Sequence, residues 1–147
     1  MRERLHRILC SLEDKKNIQL YSADYIVRLL LVGKPSEAIR VYVECHKLIP
    51  DFKIKGAKHR HEMAHLLVSS GQSRAALSLL NDLHRDYPSY EGIPSAYLLV
   101  AKIMFEYFNH EDKARRILEY LMHKYPNNPS REKIQSYLGM LNSISSH

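Results

Sequence analysis

The sequence predicts an all-α protein built from repeated helical hairpins. Apolar residues recur at intervals of three and four along the chain, and no segment alternates strictly between apolar and polar residues, a combination typical of helices. The chain also repeats itself every 38 residues, with prolines at Pro50, Pro88 and Pro126. A period of this length indicates a stacked supersecondary unit, because each copy alone is too small to bury its apolar face.

About eight helices are predicted, and the first three follow from apolar stripes and stop signals. An N-terminal helix is expected over residues 2–13. The second covers residues 18–32 and ends at Gly33, because glycine readily adopts the positive φ of a helix C-terminus. The third begins near Pro35, where the missing N–H costs nothing in the first turn, and it ends before Pro50.

The same hairpin is predicted twice more. Its helices are expected over residues 57–70, 73–87, 94–108 and 111–125. Gly71 lies in the first of these turns and Asn109 in the second, and asparagine tolerates the left-handed conformation better than other non-glycine residues. A last helix over residues 129–144 is amphipathic, so we expect it to cap the end of the stack.

Small residues mark the predicted crossing point of each hairpin. Ala38, Ala76 and Ala114 each come five residues after the turn, where two helices must approach closely. Larger apolar residues recur with the same period and predict the interior. These are Leu29, Leu67 and Phe105, then Val41, Leu79 and Ile117, then Cys45, Leu83 and Leu121.

This order of turn, small residue and proline stop resembles the tetratricopeptide repeat over residues 20–142. The period is 38 residues where the common repeat has about 34, and the additional residues lie in the loops between hairpins. Tyr87-Pro88 and Tyr125-Pro126 are similar to the ends of longer bacterial repeats. The resemblance implies a single domain over residues 1–147, wound as a right-handed superhelix. Its antiparallel hairpins would span residues 18–52, 57–90 and 94–128.

The resemblance also implies a concave groove that binds a peptide or helix of a partner protein, without catalysis. The partner-binding residues would be Lys58, His61 and His65 on one wall and Ile103, Glu106 and Tyr107 opposite. Leu20, Val27 and Leu31 would form an apolar groove end or a dimer surface. Such a surface seldom stays bare in water. The N-terminal helix, a second copy of the chain forming a homodimer, or a partner's amphipathic helix are its alternative occupants.

His61-Glu62-Met63-Ala64-His65 matches the HExxH pattern, in which two histidines one turn apart bind zinc and the glutamate activates water. A zinc-dependent hydrolase or a metal-binding protein is therefore an alternative, with Glu106 as a third ligand. Recognition is the favoured role: His59, His61 and His65, with Lys58 and Arg60, would form a cationic patch that strengthens as the pH falls through the histidine range. We expect no cofactor, since a glycine-rich phosphate loop and a serine nucleophile motif are both missing.

The positive charge lies at one end of the chain. Residues 1–60 contain 13 Lys and Arg against 7 Asp and Glu, whereas the remainder contains 9 of each. Attachment of this basic part to an anionic surface, either a membrane or a nucleic acid, is a further alternative. Nucleic acid is the less favoured of the two, because aromatic residues are not interleaved with the basic stretch over residues 53–60.

Cysteine use and hydropathy predict a soluble cytoplasmic protein. Cys10 and Cys45 lie in apolar helical patterns without CxxC spacing, which favours buried thiols in a reducing compartment. Residues 1–16 are charged throughout and contain no apolar region of a secretory signal. The longest apolar run, over residues 25–32, is too short to span a bilayer. Residues 76–126 are also similar to the repeat tails of some bacterial inner-membrane proteins, so the soluble tail of a larger membrane protein is an alternative.

Overall fold

A computed structural model describes residues 15–145 as helices joined by turns and loops, and within this range no strand occurs. The all-α class is confirmed. The predicted helix over residues 2–13 lies outside the described residues. The helices are α1 (Lys15–Leu31), α2 (Pro35–Leu48), α3 (Ala57–Ser69), α4 (Ser73–Leu80), α5 (Leu83–Asp86), α6 (Ile93–Glu106), α7 (Glu111–Lys124) and α8 (Arg131–Ser145).

The chain divides into two compact units, the first extending to Asn81 and the second beginning at Asp82. In the first unit α1 packs against α2, α3 packs against α4, and α2 also touches α3. In the second unit α7 packs against both α6 and α8. The sequence predicted one continuous domain, and the boundary between the units falls inside its second repeat.

The tight turns between paired helices adopt the predicted left-handed backbone. The φ angle is 75° at Gly33, 81° at Gly71 and 56° at Asn109. Behind the two glycines, the N–H groups of Lys34 and Gln72 donate to carbonyls five residues back, at 2.8 and 2.7 Å. These bonds satisfy carbonyls that the helix end would otherwise leave unpaired, so each turn closes its helix as it reverses the chain.

The small residues at the predicted helix crossings are confirmed as core. Ala38, Ala76 and Ala114 are all fully buried. Among the larger apolar residues predicted for the interior, Phe105 and Ile117 are half-buried and the others are buried. These are Leu29, Val41, Cys45, Leu67, Leu79, Leu83 and Leu121.

The continuous helix predicted over residues 73–87 is wrong, because it breaks between α4 and α5. Asp82 adopts a left-handed conformation, with φ of 64°. Its side chain pairs with Arg85 at 2.7 Å, and its carbonyl accepts the N–H of Asp86 at 2.9 Å, which starts α5. Lys53 Nζ donates to the Asn81 carbonyl at 2.7 Å. Lys53, 28 residues earlier in the chain, therefore caps a carbonyl at the end of α4.

The loop between α2 and α3 is part of the core. Phe52 and Ile54 are almost completely shielded from solvent. Tyr42 Oη donates to the Phe52 carbonyl at 3.0 Å, and Arg60 Nε donates to the Ile54 carbonyl at 2.6 Å. Since these donors come from the two flanking helices, the loop is held at both of its buried positions.

The predicted end helix packs as α8 in the second unit. Its Ile134 and Leu141 are fully buried, in a cluster with residues of α6 and α7. Arg115 on α7 joins the two helices, because its Nε donates to the Asn142 side chain at 3.0 Å while its other nitrogens contact Glu111 and Asp112.

Candidate functional site

The α3 wall of the predicted groove is a histidine-containing helix face. Lys58 and His65 are exposed and His61 is half-buried, which places all three on the outer side of α3. The rings of His61 and His65, one turn apart, stack with centroids 5.0 Å apart and planes inclined by 29°. We call Lys58, His61 and His65 the α3 patch.

His61 does not contribute charge to the α3 patch at neutral pH. Burial, and secondarily the charge on neighbouring His65, lower the pKa of His61 to about 4. The prediction that both histidines gain charge through the usual histidine range is therefore wrong for His61. Its ring acts there as a neutral, partly apolar surface.

Lowering the pH from about 7 to about 4.5 is expected to destabilise the protein through His61. The unfolded chain has the ordinary histidine pKa of 6.5, so it binds more protons than the folded chain between pH 6.5 and about 4. The stabilising contribution is complete above pH 6.5 and is lost as the pH falls toward 4. Partial exposure of the ring limits the loss to about 1–2 kcal/mol.

Thermal unfolding of the wild type and of His61→Gln at both pH values measures this effect. Glutamine does not titrate, so the variant should lose less stability between the two pH values than the wild type does. An equal loss in both proteins would contradict the assignment to His61.

The opposite wall of the predicted groove is less accessible than expected. Ile103 is fully buried, as are Ala96 and Ala101 on the same helix, so the prediction of Ile103 as a contact residue is corrected here. The reason is that α6 is apolar on almost every side, and such a helix is buried rather than amphipathic. Glu106 and Tyr107, at the end of α6, are exposed.

Glu106 is engaged within the second unit. Its carboxylate accepts a hydrogen bond from Tyr137 Oη at 2.7 Å. The ring of Tyr137 also lies edge-on to Phe105 and beneath Lys102 Nζ. Burial, and then this bond with Glu106, raise the pKa of Tyr137 above its usual range. Glu106 thus links the end of α6 to α8.

The zinc alternative lacks a ligand set in the described part of the chain. Within residues 15–145, no three His, Cys, Asp or Glu side chains are grouped so that they could hold a metal ion. His61 and His65 supply two imidazoles in stacked orientation, and Glu106 contacts Tyr137. A structural or catalytic zinc site requires at least three protein ligands. The described residues do not provide them around His61 and His65.

The predicted apolar groove end is a surface of α1 beside a cavity in the first unit. The exposed fraction is 53% for Leu20 and 72% for Leu31, and Val27 is half-buried. A cavity of about 350 Å³ adjoins this surface. We call it the α1 cavity; its lining residues are Leu20, Ala23, Asp24, Val27, Lys55, Gly56 and His59.

The lining of the α1 cavity contains one lysine, Lys55, and one carboxylate. Lys58, outside the lining, is exposed in the first turn of α3. The one carboxylate in the lining, that of Asp24, pairs with Arg28 at 3.0 Å. An apolar floor beside a lysine suits a ligand that combines apolar and acidic groups.

Half of the lysine and arginine side chains in the basic stretch have structural roles. Lys53 caps α4, and Arg60 is buried against the Ile54 carbonyl. Lys55 and Lys58 remain on the surface. The number of cations over residues 53–60 that could contact phosphates is therefore smaller than the sequence indicates, which reduces support for attachment to an anionic surface.

A second cavity, in the second unit, was not predicted. It encloses about 290 Å³, and we call it the aromatic cavity. Its lining residues are His84, Ile93, Tyr97, Arg116, Ile117, Tyr120, Leu121 and Tyr125. The sequence signal that could have revealed it is the pair Tyr120 and Tyr125 near the end of α7, followed by the proline stop.

Within residues 15–145, no helix combines the length and the apolar composition that crossing a membrane requires. Compared with known proteins, the sequence matches no protein-family model and no curated sequence.

Proposed function

We propose that this protein is a non-catalytic interaction scaffold of the tetratricopeptide type, which binds a peptide or helix of a partner protein. The observation that carries the proposal is the exposed apolar surface of α1, formed by Leu20 and Leu31, beside the α1 cavity. Exposed leucines on one helix, one of which also lines a cavity, are typical of a protein-binding surface.

The repeat character of the scaffold rests on its local geometry. Paired helices, left-handed turns at Gly33 and Gly71, and buried small residues at Ala38 and Ala76 all recur with the sequence period. Cytoplasmic location belongs to the same proposal, because the buried thiol of Cys45 suits a reducing compartment.

The partner segment we propose is an amphipathic helix with acidic residues beside its apolar face. Apolar side chains would cover Leu20, Val27 and Leu31, while carboxylates would meet Lys55 and Lys58. A second copy of the chain fits less well, because a two-fold interface on this surface would bring the same lysines toward each other.

A photo-crosslinking experiment tests this proposal in cells. A benzophenone amino acid replaces Leu31, and a matched protein carries it at Lys113, an exposed position on α7. The Leu31 probe should crosslink to an acidic amphipathic segment of another protein, and mass spectrometry identifies the segment. Combining the probe with Lys55→Glu and Lys58→Glu should reduce the yield severalfold, and the Lys113 probe should not capture the same segment.

Other crosslinked products would contradict this proposal. A product with a second copy of the chain would make the surface a dimer interface, and a product with the chain's own residues 1–14 would make it an internal contact. If the crosslinking yield did not change with the two lysine substitutions, the partner segment would not be bound through acidic residues.

A further inference from the structure

The aromatic cavity lies entirely in the second unit and shares no residue with the α1 cavity. Its inner wall is apolar, because Ile93 and Leu121 are almost fully buried and Ile117 is half-buried. Three tyrosine rings, His84 and Arg116 complete the lining. A volume of about 290 Å³ is near the lower limit of small-molecule pockets, on the order of 300 Å³, and is too small for a helix.

The hydroxyl of Tyr97 is occupied by the protein. It hydrogen-bonds with His84 Nδ1 and accepts the backbone N–H of His84 at 3.3 Å, and the two rings meet edge to face. Because these bonds engage the polar end of Tyr97, the ring is the part that lines the cavity. Tyr97 therefore offers aromatic surface to a ligand.

The arginine in its lining gives the aromatic cavity a positive charge. Arg116 lines it and is exposed, and within residues 15–145 it makes no ion pair with a carboxylate. Lys124 Nζ lies 5.6 Å from the centre of the Tyr120 ring and 5.8 Å from that of Tyr125. The eight lining residues include no carboxylate.

These charges decide between two kinds of ligand for a tyrosine-rich pocket. A group of tyrosines can form a cage for a quaternary ammonium ion, through cation–π contacts. Here Arg116 in the lining would repel a cationic ligand, and Lys124 Nζ, which is outside the lining, already lies over the Tyr120 and Tyr125 rings. An anionic ligand has both a cation to pair with and aromatic rings to stack against.

We propose that the aromatic cavity binds a small aromatic carboxylate, with its ring among Tyr97, Tyr120 and Tyr125 and its acid group on Arg116. The planar guanidinium matches a carboxylate in a bidentate pair, which sets the orientation of the ligand. This site is independent of the proposed partner surface on α1, so either proposal can fail without the other.

Isothermal titration of the full chain with three matched probes tests the proposal. Phenylacetate is the acid, phenylacetamide its neutral analogue and phenethylamine its cationic analogue. We expect phenylacetate to bind with a Kd on the order of 1 mM, as suits ten non-hydrogen atoms. We expect the amide to bind about fivefold more weakly, and the amine more weakly still.

Two variants separate the charge from the aromatic surface. Arg116→Gln should weaken phenylacetate binding about fivefold and abolish its advantage over the amide. Tyr120→Ala should weaken the acid and the amide by the same factor, because it removes stacking area and no charge. Lys113→Gln removes a cation of α7 outside the cavity and should change the binding of neither the acid nor the amide. Circular dichroism confirms that each variant is folded.

Several results would overturn the assignment. Equal binding of acid and amide, or tightest binding of the amine, would contradict the proposal that the ligand carries a carboxylate. Failure of phenylacetate to bind, or binding that persists unchanged in Arg116→Gln, would contradict the assignment of a carboxylate site to this cavity. If acetyl-Ala-Phe with a free carboxylate bound more than about tenfold tighter than phenylacetate, the ligand would be a peptide C-terminus rather than a small molecule.

Discussion

Replacing Phe52 with alanine is expected to lower the free energy of unfolding by about 3–5 kcal/mol, as for other large aromatic residues in a core. Phe52 has no exposed surface, and its ring lies 5.5 Å from that of Tyr42, measured between centroids. The substitution leaves a cavity beneath the loop and removes this ring contact. Urea denaturation followed by circular dichroism measures the change.

Asp51→Ala is the matched control, because Asp51 is the exposed neighbour of Phe52 in the same loop. Its effect should stay within about 0.5 kcal/mol. Tyr42→Phe should fall between the two, at about 1–3 kcal/mol, since it leaves the buried Phe52 carbonyl without its donor. If Phe52→Ala unfolded at the same urea concentration as the wild type, the loop would not belong to the core.

Enlarging Ala114 to leucine is expected to cost about 1–3 kcal/mol. Ala114 is fully buried in the core of the second unit, and its helix α7 packs against both α6 and α8. The larger side chain can enter only if these helices separate or adopt strained rotamers. Thermal unfolding should show the melting temperature lowered by several degrees.

Lys113→Leu provides the control for Ala114→Leu, because the preceding residue of α7 is exposed. It introduces the same side chain on the same helix and should leave the melting temperature close to that of the wild type. Ala38→Leu and Ala76→Leu should act in the same direction as Ala114→Leu, since both alanines are fully buried at the corresponding position. Unchanged stability in all three would contradict the close helix crossing.

Local features of the fold were predictable from the sequence. Gly71 and Asn109 each end a helix with a left-handed residue, a choice made by the backbone preference of that residue and little else. Pro35 begins α2 for an equally local reason. Most of the apolar residues that recur with the 38-residue period are buried, because helical spacing alone places them on one face of their helix.

The break between α4 and α5 could not be predicted in the same way. Leu79, Leu80 and Leu83 continue a helical spacing across it. The interruption depends on Asp82 and on the cap that Lys53 places on the Asn81 carbonyl, 28 residues away along the chain. A contact of this range is absent from any short sequence window.

The candidate sites were likewise predictable from the sequence only in part. Lys58 and His65 are exposed, as their spacing on α3 predicts. The burial of Ile103 was missed because the resemblance implies that this residue faces a groove, whereas α6 is apolar on most sides and is buried. The aromatic cavity was missed because His84, Tyr97 and Arg116 come from three different helices.

By itself, the sequence determined that the chain forms helical hairpins, where each hairpin turns, and which small residues lie at the crossings. These properties depend on backbone preferences and on periods of a few residues, which any short segment already contains. Only the tertiary structure decided that Phe52 is core, that Arg60 serves a loop carbonyl, and that tyrosines of α6 and α7 enclose a cavity with Arg116 beside it. Burial and side-chain pairing depend on residues far apart in the chain, so they exist only once the helices have packed.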